Sequence, residues 1–148
     1  MTEAKTLTFT RTLPATPDRV IAALTSVEDR TIWGTPSPDM ALLIEDQPAA
    51  APGVRETSHV GPVGTPYVTV FTDWIILDQD RVTYAETLEA DGAAFATSLA
   101  DFHLTQDGGN TALSLTVTVF SYAGEDAISE VAQGWTHAVN ALSTHLDA

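Results

Sequence analysis

The sequence contains no cysteine, and only six of its 148 residues are lysine or arginine. The absence of cysteine excludes disulfide bonds, thiol catalysis and thiolate metal sites. The scarcity of basic residues leaves a net charge of −14, because twenty residues are aspartate or glutamate. Such a protein repels nucleic acid and anionic membranes, whose binding needs basic side chains that neutralise phosphates. We therefore expect neither nucleic acid nor an inserted membrane segment among its partners.

Long apolar runs are also missing. No stretch approaches the ~20 apolar residues that a membrane-spanning helix needs. The opening MTEAKTLTFT lacks the apolar run of a signal peptide. The sequence thus predicts a soluble, cytoplasmic protein, and its length and 44% hydrophobic content fit a single domain over 1–148.

The predicted elements run in the order strand, two short helices, six strands and one long helix. In the first strand, at 6–13, mostly apolar residues alternate with threonine. Thr16 and Pro17 favour a helix start, and Ser26 with Asp29 favours a second one. Turns of hairpin length separate the later strands, so neighbouring strands should be antiparallel. These strands are predicted at 40–46, 54–60, 67–77, 81–88, 93–104 and 110–120.

The last helix is predicted from about 126 to 146, with Asp126 as its cap. At about 100° per residue its apolar side chains form one stripe. The stripe comprises Ile128, Val131, Ala132, Trp135, Val139, Leu142 and Leu146. An antiparallel sheet that curves around this stripe is the expected packing. His137 lies opposite the stripe and His145 at its flank, so both histidines should be solvated.

Several motifs occur in an order that resembles a known family. The segment LTFTRTLPATPDRVIAALTSVEDRTIWG ends in a Trp33-Gly34 corner, and DQDRVTYAETL, GGNTALSLTV and the pair Gly134-Trp135 follow. This succession resembles the START/birch-pollen-allergen-like (SRPBCC) superfamily, in particular its branch related to the activator of heat-shock protein 90 ATPase, the AHSA-type domain. The resemblance covers almost the whole chain.

The resemblance implies an α+β helix-grip fold. In that fold a seven-stranded antiparallel sheet curves around a long C-terminal helix, and two short helices follow strand 1. It also implies an internal cavity between the sheet and the helix, which members use to bind lipids, polyketides or plant hormones. A few members perform cyclisation or dehydration there. The branch has no shared catalytic motif, so the resemblance predicts a pocket and leaves the catalytic residues unknown.

Aromatic side chains are the candidates for the lining of such a cavity. The predicted ligand-binding residues are Trp33, His59, Tyr67, Trp74, Tyr84, Phe102, Trp135 and Leu142. His59 and Tyr84 are the polar residues expected to orient a ligand. The alternative is that the aromatic residues simply fill the core. Other polar strand residues, Asp73, Glu86, Asp101 and His103, depend on which strand face turns inward; Phe102 and Leu104 look like an inward pair, which places His103 outside.

Three functions follow. The first is a binding protein for a hydrophobic or aromatic small molecule. The second is a polyketide cyclase- or hydrolase-like enzyme that uses the same cavity through His59 or a buried carboxylate. The third is a chaperone-interaction module, placed last because the N-terminal chaperone-binding domain of the eukaryotic activator has no counterpart in these residues. A homodimer is also left open.

Enzyme motifs are absent from the sequence. It contains no Ser-His-Asp motif, no H-x-x-x-H metal spacing and no glycine-rich phosphate loop between a strand and a helix. We therefore predict no metal and no cofactor, and a binding protein more readily than an enzyme.

Overall fold

The computed structural model describes residues 3–35, 37–45, 49–65 and 67–147. The α-helices are α1 (Pro17–Thr25), α2 (Val27–Trp33) and α3 (Glu125–Leu146). The strands are β1 (Glu3–Leu13), β2 (Met40–Ile44), β3 (Arg55–Pro62), β4 (Val68–Leu77), β5 (Arg81–Ala90), β6 (Ala93–Asp107) and β7 (Asn110–Ser121). Asp46, the last residue of the predicted second strand, lies outside the described residues.

The strands form one antiparallel sheet in the order β1-β7-β6-β5-β4-β3-β2. The first strand therefore pairs with the last one, and hairpin connections build the rest of the sheet. Helix α3 packs against the concave face, and α1 and α2 cover part of the same face. The predicted α+β helix-grip fold is confirmed. Within the described residues, no helix is long and apolar enough to cross a membrane.

The two short helices begin where the capping residues predict. The Thr16 side chain accepts a hydrogen bond from the Arg19 amide, and the Ser26 side chain accepts one from the Asp29 amide. Helix α2 ends at Gly34, where an added Cβ atom would lie 2.6 Å from the Arg30 carbonyl oxygen. Only glycine fits this corner without a shift of the backbone.

Helix α3 confirms the apolar stripe and corrects two details. Its cap is Gly124, at φ 94°, rather than Asp126, because the left-handed glycine turns the chain out of β7 two residues earlier than expected. Trp135 and Leu142 are buried as predicted. His145 is not solvated: its side chain is 15% exposed and its Nε2 lies 2.6 Å from Asp29 Oδ1. The reason is that α2 packs against α3 and covers this flank.

Two irregularities in strand pairing interrupt the alternation of inward-facing and outward-facing side chains along the sheet. The pairing of β4 with β5 shifts between Trp74 and Ile76, and the pairing of β5 with β6 shifts between Leu88 and Glu89. A bulge of this kind changes which residues face the core on either side of it. Both shifts lie in the strands that face α2 and α3, so they influence which side chains reach the interior.

Candidate functional site

A cavity of about 450 Å³ lies between the concave face of the sheet, α2 and the first part of α3. Strands β2 to β5 form its floor, and Phe95 at the start of β6 closes one side. Tyr67, Glu130 and Gln133 line it and are also exposed, which marks this end as the mouth. A volume of this size falls within the range of small-molecule pockets.

The walls of the cavity are mostly apolar. Aromatic side chains come from three directions: Trp33 from α2, Trp135 from α3, and Tyr84 from β5. Aliphatic side chains fill the spaces between them, namely Leu42, Val60, Val68, Val70, Leu88 and Val131. The ring centroids of Tyr84 and Trp135 are 6.4 Å apart, so sheet and helix meet here through aromatic contact.

A row of four polar side chains crosses the concave face at the inner end of the cavity. Glu56 of β3 pairs with Thr72 of β4, Thr72 with Glu86 of β5, and Glu86 with Ser98 of β6. Directly opposed residues on neighbouring strands lie within about 5.5 Å of one another. We call these four residues the polar row. Thr72 and Glu86 line the cavity, whereas Glu56 and Ser98 are fully buried at either side.

Each end of the polar row is bonded to a helix. At one end Arg30 of α2 donates from Nη1 to Glu56 Oε1 at 2.7 Å, and its second Nη donates to the other carboxylate oxygen. At the other end the Trp135 indole N–H donates to Ser98 Oγ at 3.3 Å. The Arg30 guanidinium also lies over the Trp74 ring, 5.2 Å from its centroid. The row thus connects the sheet to both helices that enclose the cavity.

Glu86 is the member of the row with unusual electrostatics. Burial raises the pKa of its carboxyl group to about 7, because desolvation disfavours the charged form; Arg30 opposes this effect and Glu56 adds to it. Burial likewise raises the pKa of the neighbouring Tyr84 phenol, and Glu86 contributes. At neutral pH the inner end therefore presents a titrating carboxyl group beside a neutral hydroxyl group.

The structure distributes the predicted site residues between two environments. Trp33, Tyr67, Tyr84 and Trp135 line the cavity. Trp74, Phe102 and Leu142 do not line it: they are 2%, 1% and 0% exposed and belong to the core cluster. They face inward as expected but lie deeper than the cavity. The Phe102 ring stacks on Tyr84 with centroids 5.9 Å apart, so it supports the wall from behind.

His59 lies on the opposite face of the sheet, which corrects its predicted place in the cavity. Its neighbours Ser58 and Val60 line the cavity, so strand alternation turns His59 outward. There its Nε2 lies 2.7 Å from Glu45 Oε2.

Three of the other polar strand candidates, Asp73, Asp101 and His103, also face outward, whereas Glu86 lines the cavity. Asp73 is hydrogen bonded to Arg55, and Asp101 to Arg81 and Thr83. His103 is exposed, as its inward neighbours predicted.

Two functional candidates were missed by sequence reasoning, and a third was named without being preferred. Arg30 and Glu56 were missed, and Glu86 was named only as one of several polar strand residues. The available signal was a polar residue at an inward position of an amphipathic strand, as in VRETSHV and RVTYAETL. Only the register shows that Glu56 and Glu86 belong to one row. In the described part of the chain, no three His, Asp or Glu side chains converge as metal ligands would.

Neither a protein-family model nor a curated protein matches this sequence. Solved structures do match it. Mll3558 from Rhizobium loti has a TM-score of 0.80 and 22% identity over 98% of this chain and 99% of its own. Ara h 8.0201 has a TM-score of 0.69 and 16% identity, covering 97% and 98% of the two chains. DynU16, a protein of the dynemicin biosynthetic locus, has a TM-score of 0.66 and 17% identity, covering 97% of this chain and 47% of its own.

These similarities concern the fold. At such identities they show that the chain has the birch-pollen-allergen-like helix-grip architecture of these proteins. Fold similarity alone does not transfer a function, because one fold hosts many sites.

Proposed function

We propose that this protein binds a hydrophobic or aromatic small molecule in the cavity between the sheet and α3. The observation that carries the proposal is the combination of an aromatic wall, an open mouth and a polar row at the inner end. Ligand pockets are mostly apolar, with a few polar groups that fix orientation. Tyr84, Thr72 and Glu86 are suited to that second role. A cytoplasmic location is part of the same proposal.

The size of the cavity sets the expected affinity. Burial of ~300 Å² of apolar ligand surface contributes about 7 kcal/mol before association costs. Loss of translational and rotational freedom offsets a good part of this. We therefore expect dissociation constants in the micromolar range. The presence of the same fold in DynU16, whose gene lies in a biosynthetic locus, is consistent with a small-molecule role.

The test uses equilibrium dialysis with phenylnaphthylamine, an uncharged apolar probe. Leu88→Trp places a larger side chain in the cavity wall and should weaken binding by about fivefold or more, since overpacking costs ~1–3 kcal/mol. Leu99→Trp makes the same change on the exposed face of β6 and should leave binding unchanged. In a separate titration, the probe should change the tryptophan emission saturably, and Trp135→Phe should reduce that response. Absence of saturable binding to the unmodified protein would refute the proposal.

A second candidate function is proton-transfer catalysis of the cyclase or hydrolase type. It is favoured by one observation: a carboxyl group with a pKa of about 7 faces the cavity beside the Tyr84 hydroxyl. A general acid or base works best when its pKa lies near the working pH. Native mass spectrometry of protein purified from its own cells identifies the co-purifying molecule. If that molecule is then converted by the native protein but not by Glu86→Gln, the protein is an enzyme; if it stays unchanged, the protein is a carrier or sensor.

Kinship with the branch related to the activator of heat-shock protein 90 ATPase is proposed from the sequence motifs alone. A chaperone-interaction module remains the last of the three functions. If a chaperone co-purified in place of a small molecule, the chaperone-interaction function would become the best supported of the three.

A further inference from the structure

Glu86 is the ionisable residue of the polar row whose charge is not matched. Glu56 is neutralised by its bidentate pair with Arg30. Among the described residues, the Glu86 side chain makes no hydrogen bond, although it borders the cavity. A carboxyl group in this position gains from a ligand group that supplies a hydrogen bond and a positive charge.

The charges around Glu86 favour one sign of ligand. Arg30 of α2 lines the cavity, but its charge is balanced by the ion pair with buried Glu56 of β3, and Tyr84 on the strand of Glu86 is a neutral phenol. Ser98 on β6 is uncharged, and Glu130 of α3 adds a negative charge at the mouth. An anionic ligand would meet repulsion at both ends of the cavity and from a chain of net charge −14. A cationic ligand would be attracted at both ends.

The aromatic walls are suited to the same charge. Trp135 donates its indole N–H to Ser98, which stands directly opposite Glu86 on the neighbouring strand. The Trp135 and Tyr84 rings therefore border the space in front of the Glu86 carboxyl group. Ammonium groups bind favourably over such rings, more so where water is excluded.

We infer that the ligand of this cavity is an amphipathic amine, with its protonated nitrogen at Glu86 and its flat apolar body between α3 and strands β3 to β5. This inference rests on the proposed function and names the ligand class of the same site. A neutral ligand that accepts a hydrogen bond from protonated Glu86 is the competing chemistry. The two have opposite pH dependences, because an ammonium ligand needs the ionised carboxylate and a neutral acceptor needs the protonated acid.

The experiment compares three probes of nearly equal shape by titration calorimetry: naphthylmethylamine, naphthylmethanol and naphthoate. We expect the amine to bind at least about tenfold more tightly than the alcohol, and the carboxylate to bind most weakly. Since the pKa of free Glu86 is about 7, the affinity for the amine should rise about tenfold between about pH 6 and pH 8. The affinity for the alcohol should stay level or fall over that range.

Two variants with the same change of charge locate the effect. Glu86→Gln should reduce the amine-to-alcohol affinity ratio to near one and remove the rise with pH. Glu89→Gln, on the same strand but outside the cavity lining, should keep both. Thermal unfolding of each variant checks that it is folded.

The outcomes separate the two proposals. If none of the three probes binds saturably, binding in the cavity itself is refuted. If the alcohol or the carboxylate binds as tightly as the amine, or if Glu86→Gln leaves the ratio intact, small-molecule binding stands and the amine assignment is wrong. An equal loss in Glu89→Gln would also overturn it, since overall charge would then be the cause.

Discussion

Arg30 of α2 and Glu56 of β3 form a bidentate ion pair with side-chain exposures of only 10% and 1%. Removal of two charges from water is costly, and their attraction offsets that cost only while both are present. The pair therefore does more than fasten α2 to the sheet. It lets a positive and a negative charge stand beside the cavity without adding net charge to it.

Replacement of Arg30 alone should be strongly destabilising. Arg30→Met leaves the Glu56 carboxylate buried without a partner, a change that costs about 3–5 kcal/mol in comparable pairs. The double variant Arg30→Met/Glu56→Met should recover most of that loss, because it removes both charges. Urea unfolding of the two single variants and the double variant measures the coupling. Additive losses in the double variant would mean that the two side chains contribute independently.

The pKa of Glu86 predicts a stability that falls with pH. Because this pKa is raised from 4.5 to about 7 in the folded protein, the native state binds more protons than the unfolded state between these values. The stabilising contribution of Glu86 should therefore be fully present below pH 4.5 and decline by up to about 3 kcal/mol as pH rises through 7. Glu86→Gln should lack this decline. The difference in unfolding free energy between the two proteins, measured at several pH values, isolates it from other groups.

Asp29 predicts the opposite trend at acidic pH. The pKa of Asp29 is lowered from 3.8 to about 2, and the hydrogen bond from Arg19 is the largest cause. Burial opposes this effect, and a hydrogen bond from His145 adds to it. Its stabilising contribution is therefore present at neutral pH and is lost as pH falls through about 2. Asp29→Asn should cost about 1–2 kcal/mol at neutral pH, with allowance for the exposed Arg19 side chain.

A matched control for Asp29 lies on the outer face of the sheet. Asp73 also accepts two hydrogen bonds from an arginine, Arg55, but the two side chains are 37% and 60% exposed. Asp73→Asn should cost less than about 0.5 kcal/mol, as exposed pairs do. Asp29 of α2 contacts Arg19 of α1 and His145 of α3. Equal losses of unfolding free energy in the two variants would show that this contact between three helices does not stabilise the fold.

Local signals account for the part of the fold that the sequence predicts. Thr16, Ser26 and the stripe of α3 act through residues within a few positions of one another, so their structure can be inferred without tertiary information. The cap at Gly124 and the burial of His145 depend on how β7 leads into α3 and where α2 packs. Neither can be read from a local pattern.

The candidate site also contains residues that a local pattern predicts and residues that depend on tertiary structure. Trp33, Tyr84 and Trp135 could be placed in the interior because large aromatic side chains on inward faces are buried there, but the same pattern does not distinguish them from Trp74, which lies deeper than the cavity. The polar row could not be assembled, because its members come from different strands and meet only in the observed register. The prediction for His59 was wrong because pairing with the neighbouring strands decides which residues of a short strand face inward, and the local sequence does not show that pairing.

Trp135 and His137 test the orientation of α3. Trp135 is 6% exposed and packs against Tyr84 and Phe102, so Trp135→Ala should cost about 3–5 kcal/mol. His137 is partly exposed two residues later, and His137→Ala should cost less than about 0.5 kcal/mol. Urea midpoints of the two variants give the comparison. Equal shifts would contradict the orientation of the helix.

Two tryptophans of similar burial differ in one hydrogen bond, and this difference can be measured. The Trp33 indole N–H donates to the Ala23 carbonyl oxygen at 2.7 Å, near the end of α1, whereas the buried Trp74 indole N–H has no partner among the described residues.

Substitution by Phe removes similar volume at both sites. At position 33 it also leaves a buried carbonyl group without this donor, which costs about 1–3 kcal/mol. At position 74 it removes a donor that has no bond to lose, and the Phe ring still lies beneath Arg30. Trp33→Phe should therefore be more destabilising than Trp74→Phe by roughly the cost of that lost bond, as measured by urea unfolding. If Trp74→Phe were the more costly variant, the packing of Arg30 on the larger indole ring would outweigh the hydrogen bond that joins α2 to α1.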